Sequence, residues 1–162
     1  MILIKNGKVI KNNQLIKKDI LIEDNKIIKI EEDINYNCEI LDATDCLIMP
    51  GAVDVHVHLR EPGFEYKETV KTGTMSCAKG GVTSIMSMPN LKPCPDCYEH
   101  LKVQLDRIEK DAVVNVYPFG AVTVNEEDKE VADYESMKNH IYGLSDDGRG
   151  VNNLYLLEQA MI

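Results

Sequence analysis

Short apolar runs separated by polar pairs fill the first fifty residues. ILIKNGKVI carries two such runs around Asn6-Gly7, and an NG pair in that setting predicts a hairpin. DILIEDNKIIKI repeats the pattern with Glu23-Asp24-Asn25 as its turn. CEILDATDCLIMPG adds one more alternating run and stops at Pro50-Gly51. Residues 1–50 are therefore expected to form a small antiparallel sheet unit, a meander of short strands with solvated lysines and glutamates between them.

The rhythm changes after Gly51. AVDVHVHL (52–59) is apolar on both parities except at Asp54, His56 and His58, the pattern of a strand buried on both faces. EYKETVKTGTMSCAK (65–79) reads as a helix ended by Gly80-Gly81, and VTSIMSM (82–88) as a second strand running into Pro89-Asn90. Asp96 is placed to cap a helix over 97–110 with Leu101, Leu105 and Ile108 on one face. A third strand (112–120), an acidic helix (126–140), a fourth strand (141–148) and the start of a fourth helix follow. Strand–helix units at intervals of about 30 residues fit a parallel α/β sheet, either doubly wound or closed into a barrel. Polar residues end successive strands: His56 and His58, then Asn90, then Asp146 and Asp147. A barrel gathers such positions around one mouth, which favours a partial (β/α)8 TIM barrel made of its first four βα units. A closed barrel needs eight strands and roughly 250 residues. The expected division is 1–50 for the sheet unit and 51–162 for the first half of a barrel, together an N-terminal portion of a larger protein.

Composition narrows the partners. Of 162 residues, 44% are hydrophobic and 28% charged, which excludes a disordered chain, and the net charge of −9 disfavours nucleic acid and anionic lipid. A small anionic substrate in a locally positive pocket remains compatible with that charge. No run is long enough to span a membrane, and MILIKNGKVIKNN lacks the apolar core and cleavage site of a signal peptide, so a cytoplasmic chain is the plain reading. The five cysteines, unevenly spaced, do not suggest a disulfide scaffold. Cys94 and Cys97 in CPDC have metal or redox spacing, but a zinc knuckle needs a second pair.

DVHVHLREPG (54–63) concentrates the chemistry. Residues i and i+2 of a strand share a face, so the rings of His56 and His58 can hold one divalent ion, for which neutral imidazole is a good ligand. The competing reading is a pair of histidines satisfied by backbone or carboxylate partners. Asp54 has the same parity and could support a ligand histidine. Arg60 could offer its planar guanidinium to a substrate carboxylate, with Glu61 as the partner that holds it, or could sit in a surface salt bridge. Asn90 could share that carboxylate, or could merely cap a turn. Of Asp146 and Asp147, adjacent on a strand, only one can enter the mouth, where a carboxylate can bridge two metal ions. Thr69, Thr72, Gly73 and Thr74 form a polar patch that could close over the site or contact the sheet. The chain contains no phosphate-binding GxxxxGK[ST] loop, no dinucleotide fingerprint, no GxSxG elbow and no basic-aromatic patch.

PGAVDVHVHLREPG (50–63), KETVKTGT (67–74), AKGGVTSIMSMPN (78–90) and SDDG (145–148) together resemble the N-terminal part of bacterial type I dihydroorotases of the amidohydrolase superfamily. The resemblance covers the whole chain, but only about two-fifths of a family member. It implies a (β/α)8 barrel with a small β-sandwich domain to which residues 1–50 contribute. It also implies zinc, two ions per full-length subunit, with His56 and His58 on the more buried ion and Asp147 as the bridge, where other classes of the superfamily use a carboxylated lysine. Arg60 and Asn90 are similar to the residues that clamp the substrate carboxylate. The implied reaction is the reversible closure of N-carbamoyl-L-aspartate to dihydroorotate in pyrimidine synthesis.

The family's remaining histidine ligands and catalytic aspartate fall on later strands, and His100 and His140, on helix segments, do not replace them. The 162-residue chain alone is accordingly expected to be inactive. As partners the resemblance suggests a small anionic substrate, with a homodimer or an association with aspartate transcarbamoylase open. The rival readings are a hydantoinase- or allantoinase-like cyclic amidase and a noncatalytic assembly partner.

Overall fold

The structure is a computed structural model describing residues 1–161, and the chain divides into two compact units, Met1–Pro50 and Gly51–Ile162.

In the first unit β1 (Ile2–Lys11), β2 (Gln14–Glu23), β3 (Lys26–Glu31) and β4 (Glu39–Asp42) form one sheet in the order β3-β2-β1-β4. Asn6-Gly7 is not the hairpin turn expected there. Strand β1 runs straight through it, and the turn falls at Asn12-Asn13, both with positive φ (51° and 59°). Asparagine adopts this left-handed conformation readily, and the later turn leaves arms long enough for eight paired positions instead of three-residue stubs. Asn6-Gly7 instead forms a bulge, where the register steps from Ile4↔Ile20 to Gly7↔Lys18. Buried Asp19 holds that bulge, accepting from Asn6 N at 3.0 Å while its other oxygen accepts from Ile34 N at 3.0 Å. The second turn, at Asp24-Asn25, lies within the stretch expected for it. The unit is not wholly antiparallel, since β4 pairs parallel with β1. Leu3, Leu21 and Ile34 form its core.

In the second unit β5 (Ala52–Val57), β6 (Val82–Ser87) and β7 (Asn115–Pro118) make a parallel sheet in sequence order. Helix α1 (Val70–Lys79) connects β5 to β6, and α2 (Tyr98–Asp111) connects β6 to β7. Leu59, Val70 and Ile85, all at most 1% exposed, pin the helix layer to the sheet, with Cys77, Ile108 and Val116 around them. Each buried aliphatic side chain of this kind contributes about 1.5–3 kcal/mol. The alternation of parallel strands and helices is that of a partial barrel. No closed barrel is present among the described residues.

Several elements are shorter than the sequence pattern predicts. Helix α1 begins at Val70 rather than near 65, because Thr69 and Thr72 form a reciprocal capping box that starts it there. Thr74 is buried and bonds to the Val70 carbonyl (2.7 Å) and the Val113 amide (3.2 Å), so that part of the threonine patch is structural. Strand β5 is not buried on both faces: it is the edge of its sheet, and Val53 and Val55 are 61% and 60% exposed. The acidic helix expected over 126–140 reduces to a 3-10 turn at Val124–Glu126 and a single turn α3 (Tyr134–Met137). The fourth strand reduces to one bridge, Gly120↔Leu144. The cause is competition from distant side chains: Asp146 takes the backbone amides of Val122 and Thr123 and Asp96 that of Asn125, holding the stretch before 126 in non-helical conformations. The last helix, α4, is Leu154–Met161. No helix among the described residues is long and apolar enough to cross a membrane.

Candidate metal centre

Strand β5 carries His56, and His58 follows one residue beyond its end. Their rings lie edge to face with centroids 5.2 Å apart. The 145–148 turn delivers Asp147 opposite them. Its Oδ1 lies 3.4 Å from His56 Nε2, and its Oδ2 lies 3.3 Å from His58 Nε2. One ligand atom from each of the three residues fits within 4.8 Å, a spacing that could hold a metal ion. Two imidazoles and a carboxylate form a donor set suited to zinc. Burial holds the His58 ring below the ordinary imidazole value, aided by the nearby Arg60 and His56 charges and opposed by Asp147. The shift favours the neutral form, the form in which an imidazole ligates a metal. Asp54, on the same strand, accepts a hydrogen bond from the backbone amide of His56 at 3.1 Å and so braces the strand rather than a ring.

Asp146 points the other way. It is 5% exposed; Oδ1 accepts from the amides of Val122 (2.7 Å) and Thr123 (3.2 Å), and Oδ2 accepts from the Thr123 hydroxyl (2.5 Å). The SDDG pair thus splits into an anchor and a site residue, the split set by the turn at 145–148 rather than by strand alternation.

A cleft of about 1010 Å³ opens beside the three-residue cluster, and His58, Arg60, Lys67, Asn90, Glu126 and Asp147 contribute to its lining. Arg60 has positive φ (61°) and no carboxylate within salt-bridge distance among the described residues. Glu61 is not its partner. It is 8% exposed and turned the other way, accepting from the Val70 amide at the start of α1 (2.8 Å) and lying 3.7 Å from Arg107 Nε. The helix N-terminus outcompetes the neighbouring guanidinium for this carboxylate.

Asn90 donates through Nδ2 to Glu126 Oε1 (2.9 Å) and to the Asp147 carbonyl (2.8 Å), and its Oδ1 is buried without a partner. Glu126 is 6% exposed, and burial raises its carboxyl above the ordinary value. The Asn90 bond and Arg149 oppose that shift, whereas Asp146 and Asp147 reinforce it. Glu126 was hidden in the sequence because EEDKE reads as a solvated helix face. Its one signal was position, just after a strand end.

A second cluster joins Asp96, Cys97 and His100 within the same 4.8 Å limit. Asp96 does not cap α2 as expected. Cys97 occupies the cap position without a side-chain bond, while Asp96 takes His100 Nδ1 at 2.7 Å and the Asn125 amide at 2.9 Å. The two cysteines of CPDC are separated in environment. Cys94 is buried, with its thiol pushed far up by burial, and Cys97 is only partly covered. All five cysteines are free.

Histidines at a strand end facing a turn carboxylate, on a βα scaffold, define a protein of amidohydrolase-like fold with a candidate metal-binding cluster at the strand ends. The model of the dihydro-orotase-like family matches residues 45–162, and the chain belongs to that family. It is 46% identical over 162 residues to the dihydroorotase of Fusobacterium nucleatum subsp. nucleatum, covering 99% of this chain and 38% of the relative. The dihydroorotase of Bacillus cereus strain B4264 is likewise 46% identical, covering 98% of this chain and 38% of the relative. The chain therefore spans under two-fifths of the length of these relatives. Among solved structures, the L-hydantoinase (dihydropyrimidinase) of Arthrobacter aurescens aligns with a TM-score of 0.82 at 20% identity, covering 98% of this chain and 37% of that one. A D-hydantoinase (dihydropyrimidinase) from Thermus sp. aligns at 0.64 with 29% identity, covering 76% and 28%. The first of these likenesses bears on the fold alone.

Proposed function

We propose that the protein containing this chain is a zinc-dependent dihydroorotase, which interconverts N-carbamoyl-L-aspartate and dihydroorotate. The observation that carries this reading is Asp147 straddling the two imidazoles, one oxygen to each ring, with the unpaired guanidinium of Arg60 on the adjoining cleft. His56, His58 and Asp147 are the proposed metal ligands; Arg60 and Asn90 are the proposed substrate-binding residues. A bound zinc supplies Lewis acidity toward an amide carbonyl and activation of water.

The chain's own residues supply the rest. Asp147 sets one carboxylate oxygen toward each ligand ring, and burial disfavours protonation of His58. Arg60 fixes an anionic substituent by a planar, bidentate contact, which sets the orientation of the ring amide. The cleft sets four positive side chains, Arg60, Lys67, Lys92 and Arg149, against three acidic ones, Glu126, Glu127 and Asp147, so it is less hostile to an anion than the acidic chain as a whole.

The test compares zinc-loaded full-length protein on dihydroorotate, hydantoin and allantoin. Turnover of dihydroorotate well above the other two, lost in Arg60→Ala, is the expected result. Preference for hydantoin would move the assignment to the hydantoinase reading, and inactivity on all three to the noncatalytic one. The 162-residue chain assayed alone with added zinc is expected to show no comparable turnover, since by resemblance further ligands and the catalytic aspartate lie on later strands.

A further inference from the structure

We propose that Asp96, Cys97 and His100 form a second metal site, separate from the centre of His56, His58 and Asp147, that takes one thiophilic divalent cation such as zinc or cadmium. The proposal does not depend on the cyclic-amidase reading, because none of the three residues lines the cleft.

The three side chains come from one short stretch, PDCYEH (95–100), where the chain enters α2. One oxygen, one sulfur and one ring nitrogen lie within 4.8 Å of one another. Bonds of about 2.0–2.3 Å to a common ion require such atoms within about 4.6 Å, so small side-chain rotations complete the set. Asp96 is its fixed member. The residue is 5% exposed, its Oδ2 accepts from the Asn125 amide at 2.9 Å, and its carbonyl accepts from the Asp133 amide at 2.8 Å. Its Oδ1 is thereby aimed at the His100 ring, 2.7 Å from Nδ1. An ion takes the place of the hydrogen in that contact, and the two atoms part to the separation of about 3.3 Å that tetrahedral bonds set. The His100 side chain is 44% exposed and has room for that swing. Its ring proton passes to Nε2, the other neutral tautomer.

Cys97 supplies the selectivity. It stands at the N-cap of a 14-residue helix, a position that serine, threonine, aspartate and asparagine favour because their oxygens bond the first amides. The Cys97 sulfur makes no such bond. It lies instead with the Asp96 carboxylate and the His100 ring. The helix N-terminus favours the thiolate that a metal needs, and the thiol proton leaves to solvent on binding. A thiolate beside an imidazole and a carboxylate selects zinc or cadmium over magnesium and calcium. The centre of His56, His58 and Asp147 offers nitrogen and oxygen only. Cys94, the other cysteine of CPDC, is buried and outside the cluster.

The test is a cobalt titration of the full-length protein stripped of metal with a chelator. Cobalt is expected to produce a near-ultraviolet thiolate-to-cobalt charge-transfer band. The band should vanish in Cys97→Ser and persist in Cys94→Ser and in His56→Ala. In His100→Ala the cobalt concentration needed to develop it should rise at least about tenfold, as for loss of a ligand. Cys97→Ser places a good capping residue at the helix start, so the fold is expected to survive, and its thermal melt should match or exceed that of the wild type. No thiolate band in the wild type, or a band that survives Cys97→Ser, overturns the site. Unchanged cobalt affinity in His100→Ala overturns the three-residue set, and loss of the band in His56→Ala overturns its separateness from the other centre.

Discussion

Asp146 and Asp147 are adjacent, yet one carboxylate is sealed against the amides of Val122 and Thr123 while the other faces the rings of His56 and His58. Their substitutions should therefore separate stability from metal binding. Asp146→Ala leaves two buried amides and a hydroxyl unmatched and is expected to cost about 2–4 kcal/mol in urea denaturation. Asp147→Asn is expected to change the metal-free stability by less than about 0.5 kcal/mol while bound zinc falls sharply. Full zinc content in Asp147→Asn would remove that residue from the ligand set.

The raised carboxyl of Glu126 makes a signed pH prediction. Its folded value lies above its unfolded one, so its stabilising contribution is complete below the unfolded value and fades as pH rises through the folded value. At neutral pH the ionised form is a burden on the fold, one that Arg149 and Asn90 relieve only in part. Glu126→Gln should accordingly be more stable than wild type at pH 7, with the advantage shrinking toward about pH 4.5. Thermal melts across that range check it, and an advantage that grows on acidification would contradict the assignment.

Thiol reactivity should follow exposure. Cys46 is exposed and Cys94 is 7% exposed with its thiol pushed far up by burial. An aromatic disulfide reagent is expected to label Cys46 promptly and Cys94 only after unfolding. Prompt labelling of Cys94 in the folded protein would reopen a redox role for CPDC.

Glu61 caps the first turn of α1, which has no acidic residue of its own. Glu61→Gln is expected to lower stability by about 1–2 kcal/mol, through loss of a charge at a helix N-terminus. Urea titration measures it. A change in KM without a change in stability would return Glu61 to the service of Arg60.

The parts of the architecture set by periodicity were legible in the sequence. The parallel β5-β6-β7 order and the two crossover helices follow from apolar runs and glycine stops, and the strand-end polar residues pointed to a rim where the histidines meet one aspartate of SDDG, Asp147 being singled out only by the family resemblance. What escaped was decided by side chains bonding to distant backbone. Asp96 abandons its helix to hold Asn125 across 29 residues, and Asp146 binds Thr123 across 23, so the chain enters the expected 126–140 helix in a non-helical conformation and only short turns form there. Asn6-Gly7 misled for a related reason. Asp19 rewards a bulge there, and Asn12-Asn13 can turn equally well six residues later.

The edge strand β5 has a practical consequence. With Val53 and Val55 bare beside an unpaired backbone edge, the isolated 162-residue polypeptide is built to stick to itself. Losses to precipitate should climb with concentration and with sulfate and ease on dilution.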